Sequence, residues 1–218
     1  MVSCDPTMCS VLEQYAVPAD RLLTLRSGQS DPLGSDIVVV TPAVRSEFGG
    51  RLATVYAPVT LAVFGSGSTR VAVRAIAPHG AAAYTGALSA DQRARKRAGR
   101  QLAANPGIIV SPAARHQLVA GRVDARLLVT LTTLAAMHPV DIIRFGASPG
   151  SGAALAVPLR SADIAAATPA GVLRHFFQVQ RKPFRPSALH VLHTGPRGTV
   201  LRLLYPAPSP LGLLGKRS

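Results

Sequence analysis

The sequence predicts an α/β protein, with a small doubly wound-like N-terminal unit followed by a mixed helix-and-sheet (α+β) domain. Four sites place proline directly after a capping side chain: Asp5-Pro6, Thr41-Pro42, Ser111-Pro112 and Thr168-Pro169. The cap accepts an orphan backbone N–H, and proline at the first helical position forfeits an N–H that would be unpaired anyway, so each pair marks a helix start. Between these starts, short apolar runs such as Ile37 to Val40 alternate with helical patterns. The shares of hydrophobic (48%) and charged (16%) residues are those of a chain that buries a core, and 218 residues suffice for one large domain or two small ones.

Taken in order, residues 6–16 read as a helix, Arg21 to Leu25 as a short strand, Ile37 to Val40 as a buried strand and 42–48 as a short helix ended by Gly49-Gly50. Leu61 to Phe64 and Arg70 to Ala77 form a hairpin across Gly65-Ser-Gly-Ser-Thr69. This part resembles the back half of a small doubly wound unit, or a lobe of periplasmic-binding type. The opening Val2-Ser3-Cys4 reads as the end of a strand already in progress, as in a fragment or the product of a late start codon.

After Pro78 the character changes, and the expected organisation is 1–78, 79–206 and a basic flexible tail, 207–218. Residues 81–104 form an Ala-rich helix with Arg93, Lys96, Arg97 and Arg100 on one arc and Ala90, Ala94, Ala98 and Leu102 nearer the opposite side. Ile108 to Val110 is a short strand, and helix 112–120 ends at Gly121. Asp124 caps the most amphipathic helix, whose Leu127, Leu128, Leu131, Leu134 and Ala135 share a core-facing side. A strand from Val140 to Phe145 follows, then a Gly-, Ser- and Pro-rich loop from Ala147 to Ala156. Helix 169–180 precedes two strands, His190 to His193 and Thr199 to Tyr205.

The chain carries 24 Lys and Arg against 10 Asp and Glu, a formal charge of +14, and nearly all its cations are Arg. Arg pairs bidentately with phosphate and carboxylate, so an anionic partner is one reading. Enrichment in Arg, Ala, Gly and Pro is equally what a GC-rich genome writes on any exposed surface. The candidate polyanion-binding residues are the arc Arg93, Lys96, Arg97 and Arg100, together with Arg181, Lys182 and Arg185. The last three belong to an acid-free C-terminal stretch that also contains Arg174, Arg197, Arg202, Lys216 and Arg217. With no Trp and few aromatics, stacking platforms for nucleic-acid bases are scarce.

Several chemistries lack their residues. Gly65-Ser-Gly-Ser68 has no Walker lysine and precedes a strand, so it reads as a hairpin turn. There is no Gly-x-Ser-x-Gly elbow and no His-Glu-x-x-His, and both glutamates, Glu13 and Glu47, lie near the N-terminus. No run approaches the roughly 18 apolar residues of a membrane helix. Cys4 and Cys9, the only cysteines, are buried hydrophobes in a reducing compartment or a small disulfide loop in an oxidising one.

The order Asn105-Pro106, strand 108–110, helix starts at Ser111-Pro112 and Asp124, strand 140–145 and Pro158-Leu-Arg-Ser-Ala-Asp-Ile164 resembles the core of the Hedgehog/D-Ala-D-Ala-peptidase family, particularly its actinobacterial members. That resemblance implies a zinc site with a His and an Asp separated by six intervening residues, a later acidic base and a second His. If Asp163 is the aspartate, the partner position is 156, an alanine, and no acid follows Asp163. His190 and His193, three apart on a strand, face opposite sides in regular pleating. The expectation is a degenerate relative without catalytic residues, cofactor or metal: a non-catalytic cell-envelope module, membrane-associated through an upstream anchor, whose Arg-rich surface meets anionic wall polymers or lipid head groups. The alternatives are a cytosolic nucleic-acid-binding protein and a divergent zinc hydrolase using Asp163 with His175, His190 or His193.

Overall fold

The computed structural model describes all residues except 27, 29–30, 147–157, 196–197, 206 and 216–218, and the side chains of 194 and 195. It is an α/β fold in two compact units, the first built from Met1–Ala87 and the second from Leu88 onward. The expected loop from Ala147 to Ala156 lies outside the described residues.

The first unit contains β1 (Val2–Cys4), α1 (Pro6–Gln14), β2 (Leu22–Thr24), β3 (Ile37–Val40), α2 (Pro42–Phe48), β4 (Val59–Phe64) and β5 (Val71–Ala75). Its sheet has the order β2-β1-β3-β5-β4, in which the first three strands are parallel and the last two antiparallel. The parallel pair β1–β2 is joined through the proline-led helix α1, and a second proline-led helix, α2, leads from β3 toward β4. Asp5 caps α1 through the Met8 N–H, and Thr41 caps α2 through the Val44 N–H. A single π turn, Leu52–Tyr56, not foreseen in the sequence, precedes β4.

The second unit contains most of α3 (Ala81–Ala103), then β6 (Ile108–Val110), α4 (Pro112–Val119), α5 (Ala125–Ala135), β7 (Val140–Gly146), β8 (Ser161–Ala166), α6 (Ala170–Gln178), β9 (Ala188–Gly195) and β10 (Gly198–Leu204). The sheet order is β6-β7-β8-β10-β9, parallel between β6 and β7 and antiparallel elsewhere. Leu127, Leu131 and Leu134 of α5 and Leu173 and Phe177 of α6 meet Ile108, Val140, Ile142, Ile164, Leu201 and Leu203 in one core, which therefore sits between the helices and one face of the sheet. The alternate residues of β8 and β10, Asp163 and Arg202 among them, point to the other face.

Three expectations need correction. Ser161–Ala166, to which the sequence assigns no element, is the middle strand; its Ala-rich composition hides a strand that exists because β7 and β10 pair with it on both sides. At Thr168-Pro169 the expected side-chain cap is absent: Pro169 is extended (ψ 143°), and its own carbonyl starts the ladder by accepting the Leu173 N–H at 3.2 Å. The helix thus begins one residue later. Residues 207–215 are not a free tail, because the Ala207 carbonyl and the Ser209 and Gly212 N–H groups are each bound by buried side chains of the unit; 216–218 lie outside the described residues.

Candidate functional site

The charge is divided sharply between the units. Residues 1–87 contain six basic and six acidic side chains, whereas residues 88–218 contain eighteen basic and four acidic ones, so the whole formal excess belongs to the second unit. Three of those four acids, Asp91, Asp124 and Asp163, are buried and bound by Arg, which leaves Asp141 as the exposed acidic side chain of the unit among the described residues.

Two of the buried acids are structural. Asp91 pairs with Arg95 at 2.8 Å and accepts the Gly212 N–H, while Arg95 also donates to the Gly121 carbonyl. Asp124 caps α5 through the Arg126 N–H, receives Nε and Nη2 of the Arg126 side chain at 2.9 and 3.0 Å, and accepts the Ser209 N–H. The Arg126 guanidinium lies 4.4 Å above the Tyr205 ring and donates to Ala207. Burial pushes the Tyr205 hydroxyl pKa up and the neighbouring Arg160 down. The i,i+4 spacing of Asp91 and Arg95 is a sequence signal for the first pair; nothing local signals that Asp124 reaches residue 209.

Asp163 is different, because its pair faces a groove. Arg202 on β10 approaches it side-on, with Nε 2.7 Å from Oδ1 and Nη2 2.8 Å from Oδ2, and Arg144 on β7 places Nε 2.6 Å from Oδ2. The hydrogen bond from Arg202 leads in holding the Asp163 carboxyl below the usual aspartate range; burial opposes it and the bond from Arg144 adds to it. Arg144, Asp163, Arg202 and His190 are successive cross-strand partners over β7, β8, β10 and β9, and they form one row across the sheet. They line a groove of about 500 Å³ with Gly146, Ser161, Leu192 and Leu204.

Two β-bulges make this row. On β7, Ile142 faces Ile164 and Arg144 faces Asp163, so Ile143 is an extra residue; on β9, Val191 faces Leu201 and His193 faces Val200, so Leu192 is extra. The first bulge lets Ile142 and Phe145, three apart, both enter the core while Arg144 turns outward. The second corrects the expectation for His190 and His193: opposite Arg202 and Val200, they hold register positions on the same face. Strict alternation, the rule applied to the sequence, fails at these strands because a bulge resets the pleat.

The other candidates are placed as follows. Arg93, Arg97 and Arg100 are exposed along α3, with Lys96 half-buried beside Gly121, so the arc exists. Arg185 joins Arg174 in a polar recess of about 300 Å³ with Gln178 and Ser187; Arg181 and Lys182 are exposed on the segment after α6, outside that recess. His175 is exposed on α6. Positions 156, 197, 216 and 217 lie outside the described residues. Cys4 and Cys9 are joined as a disulfide (Cα–Cα 5.4 Å) in a small apolar cluster with Val39. In the first unit, a crevice of about 210 Å³ opens beside Asp5, Arg26 and Glu47, but its carboxylates are engaged: Asp5 with the Met8 N–H and the Thr41 hydroxyl, Glu47 with the Gly28 N–H.

Asp163, the position the peptidase resemblance offers as a zinc ligand, gives both oxygens to guanidinium groups. Among the described residues no three His, Cys, Asp or Glu side chains are grouped as a metal requires. No helix among them is long and apolar enough to cross a membrane. No family model matches the chain, and neither curated proteins nor solved structures provide a match.

Proposed function

We propose that the second unit is a non-catalytic module that binds anionic polymers, and that it works in the cell envelope, where its partner is a wall polymer or an anionic membrane surface. The observation that carries this reading is the charge division: eighteen cations and four acids, three of the acids buried against arginines, leave a surface of almost one sign. Such a surface attracts polyanions over roughly a Debye length, about 8–10 Å at moderate salt. The Arg93, Arg97 and Arg100 face of α3 and the Arg174 and Arg185 recess supply exposed guanidinium forks suited to phosphate and carboxylate. The Cys4–Cys9 bond supports an oxidising, extracytoplasmic setting.

Nucleic acid is the competing polyanion. Against it stands the absence of any aromatic among the exposed large hydrophobic residues of the second unit within the described chain, since sequence-tolerant strand binding relies on base stacking. Co-sedimentation with isolated cell wall and gel shift with DNA and RNA, run side by side, separate the two. The proposal expects retention on wall at low salt and release as salt rises. No retention at low salt contradicts it, and a gel shift without wall retention transfers the function to nucleic acid.

A further inference from the structure

We infer that the groove over β7, β8 and β10 is a discrete site for a phosphoryl group, gripped by Arg144 and Arg202 with Asp163 as the buried anchor that aims both. This deepens, and rests on, the reading of the unit as an anion-binding module. The α3 face and the α6 recess offer charge; the groove offers built geometry.

The Asp163 side chain is 7% exposed, while Arg144 and Arg202 remain 62% and 33% exposed. The carboxylate therefore lies beneath the two guanidinium groups. Its position fixes side chains that would otherwise sample many rotamers, and so lowers the entropy lost when a ligand arrives. Among the described hydrogen bonds Arg144 donates to it only through Nε, and Arg202 through Nε and Nη2. Both terminal nitrogens of Arg144 and Nη1 of Arg202 thus keep N–H groups to offer. Two cations against one carboxylate leave a net positive charge at the groove, so the site calls for an anion.

The shape of the donor set selects among anions. A planar carboxylate offers two oxygens in one plane, the mode in which Asp163 already meets both guanidinium groups from below. A tetrahedral phosphoryl group sends more oxygens in several directions and carries more charge toward the N–H groups that remain on either side of β8. Ser161 and His190 also line the groove wall, one bearing a hydroxyl and the other an imidazole. Gly146 gives that hydroxyl room, since a Cβ there would come within 2.8 Å of Ser161 Oγ. The phosphoryl group can be free phosphate or one unit of a phosphate polymer, because the groove recognises the chemistry the two share.

Isothermal titration of the full chain in a phosphate-free, low-salt buffer tests this with orthophosphate and with polyphosphate, against acetate at matched ionic strength. Saturable phosphate binding, weakened about tenfold or more in Arg144→Gln, is the expected result, since a charge-assisted fork is worth on that order. Arg144 is exposed enough for the variant to fold, and unchanged thermal unfolding checks that it has. Arg21→Gln, which removes an exposed cation of the first unit, by contrast leaves orthophosphate binding as it is. Polyphosphate binding more tightly per chain, and losing that advantage in Arg144→Gln, assigns the site to a polymer-borne group; equal affinity assigns it to free phosphate. Acetate competing as well as phosphate, or Arg144→Gln binding phosphate as the unaltered chain does, overturns the inference. If polyphosphate still binds in that last case, the groove assignment falls while the polyanion reading stands; if no phosphate polymer binds at all, both fall.

Discussion

Asp124 is fully buried and accepts two backbone N–H groups and two guanidinium nitrogens, so every lone-pair direction is used. Removing it strands the Arg126 charge in the interior: Asp124→Ala should destabilise the second unit by about 3–5 kcal/mol in denaturant unfolding. Asp163 makes a pH prediction instead. Its folded-state pKa lies below the ordinary aspartate value, chiefly through the Arg202 hydrogen bond, so the folded state binds protons less readily than the unfolded one. The stabilisation is complete above the unfolded pKa, about 3.9, and is lost as pH falls below it through the folded value. Acid unfolding followed by circular dichroism should therefore show a loss of stability below about pH 4 that is smaller in Asp163→Asn. An identical acid limb in the variant would mean that the Arg pair does nothing for the carboxylate. Of these two residues, sequence reasoning found Asp124 as a helix cap and Asp163 as a zinc-ligand position. It found neither ion pair: Arg144 and Arg202 are delivered to Asp163 by strand pairing, and Arg126, two residues from Asp124, shows no regular spacing that announces its side chain turning back onto the cap.

Among the elements, α3 and α4 approach through a glycine. A Cβ on Gly99 would sit 2.3 Å from the Leu118 carbonyl oxygen, far inside van der Waals contact, so Gly99→Ala must push the helices apart. The expected cost is about 1–3 kcal/mol despite alanine's better helix propensity, whereas Gly86→Ala, which meets nothing within 4 Å, should be neutral or stabilising. Thermal unfolding of the two variants separates packing from propensity. The C-terminal segment makes a second prediction: a chain ended after Tyr205 loses the Ser209 and Gly212 donors to Asp124 and Asp91 and should unfold at lower denaturant concentration. Element by element, the sequence was most legible where local chemistry decides. Asp5-Pro6, Thr41-Pro42 and Ser111-Pro112 start helices with the cap hydrogen bonds their side chains imply. It was least legible at β8, whose alanines carry no strand signal, and at the β7 and β9 bulges, where an inserted residue changes which face a side chain takes.

At the scale of the whole molecule, the near-neutral first unit and the strongly basic second unit divide the labour of the chain: one carries no excess charge and the other carries all of it. The composition signalled an excess of cations, but only the division into units shows where they gather, and only the burial of Asp91, Asp124 and Asp163 shows how little negative charge remains on that surface. The groove row could not be read from the sequence, since Arg144, Asp163, Arg202 and His190 are brought together by strand order and bulges. The most direct test of the central claim is the affinity of the full chain for a phosphate polymer as a function of salt, compared with Arg93→Gln/Arg97→Gln/Arg100→Gln. The account predicts a straight fall of log affinity against log salt, with the slope of the triple variant shallower by about 2, as expected when three cations no longer displace counterions. Binding that ignores salt, or a triple variant with the slope of the unaltered chain, would contradict it.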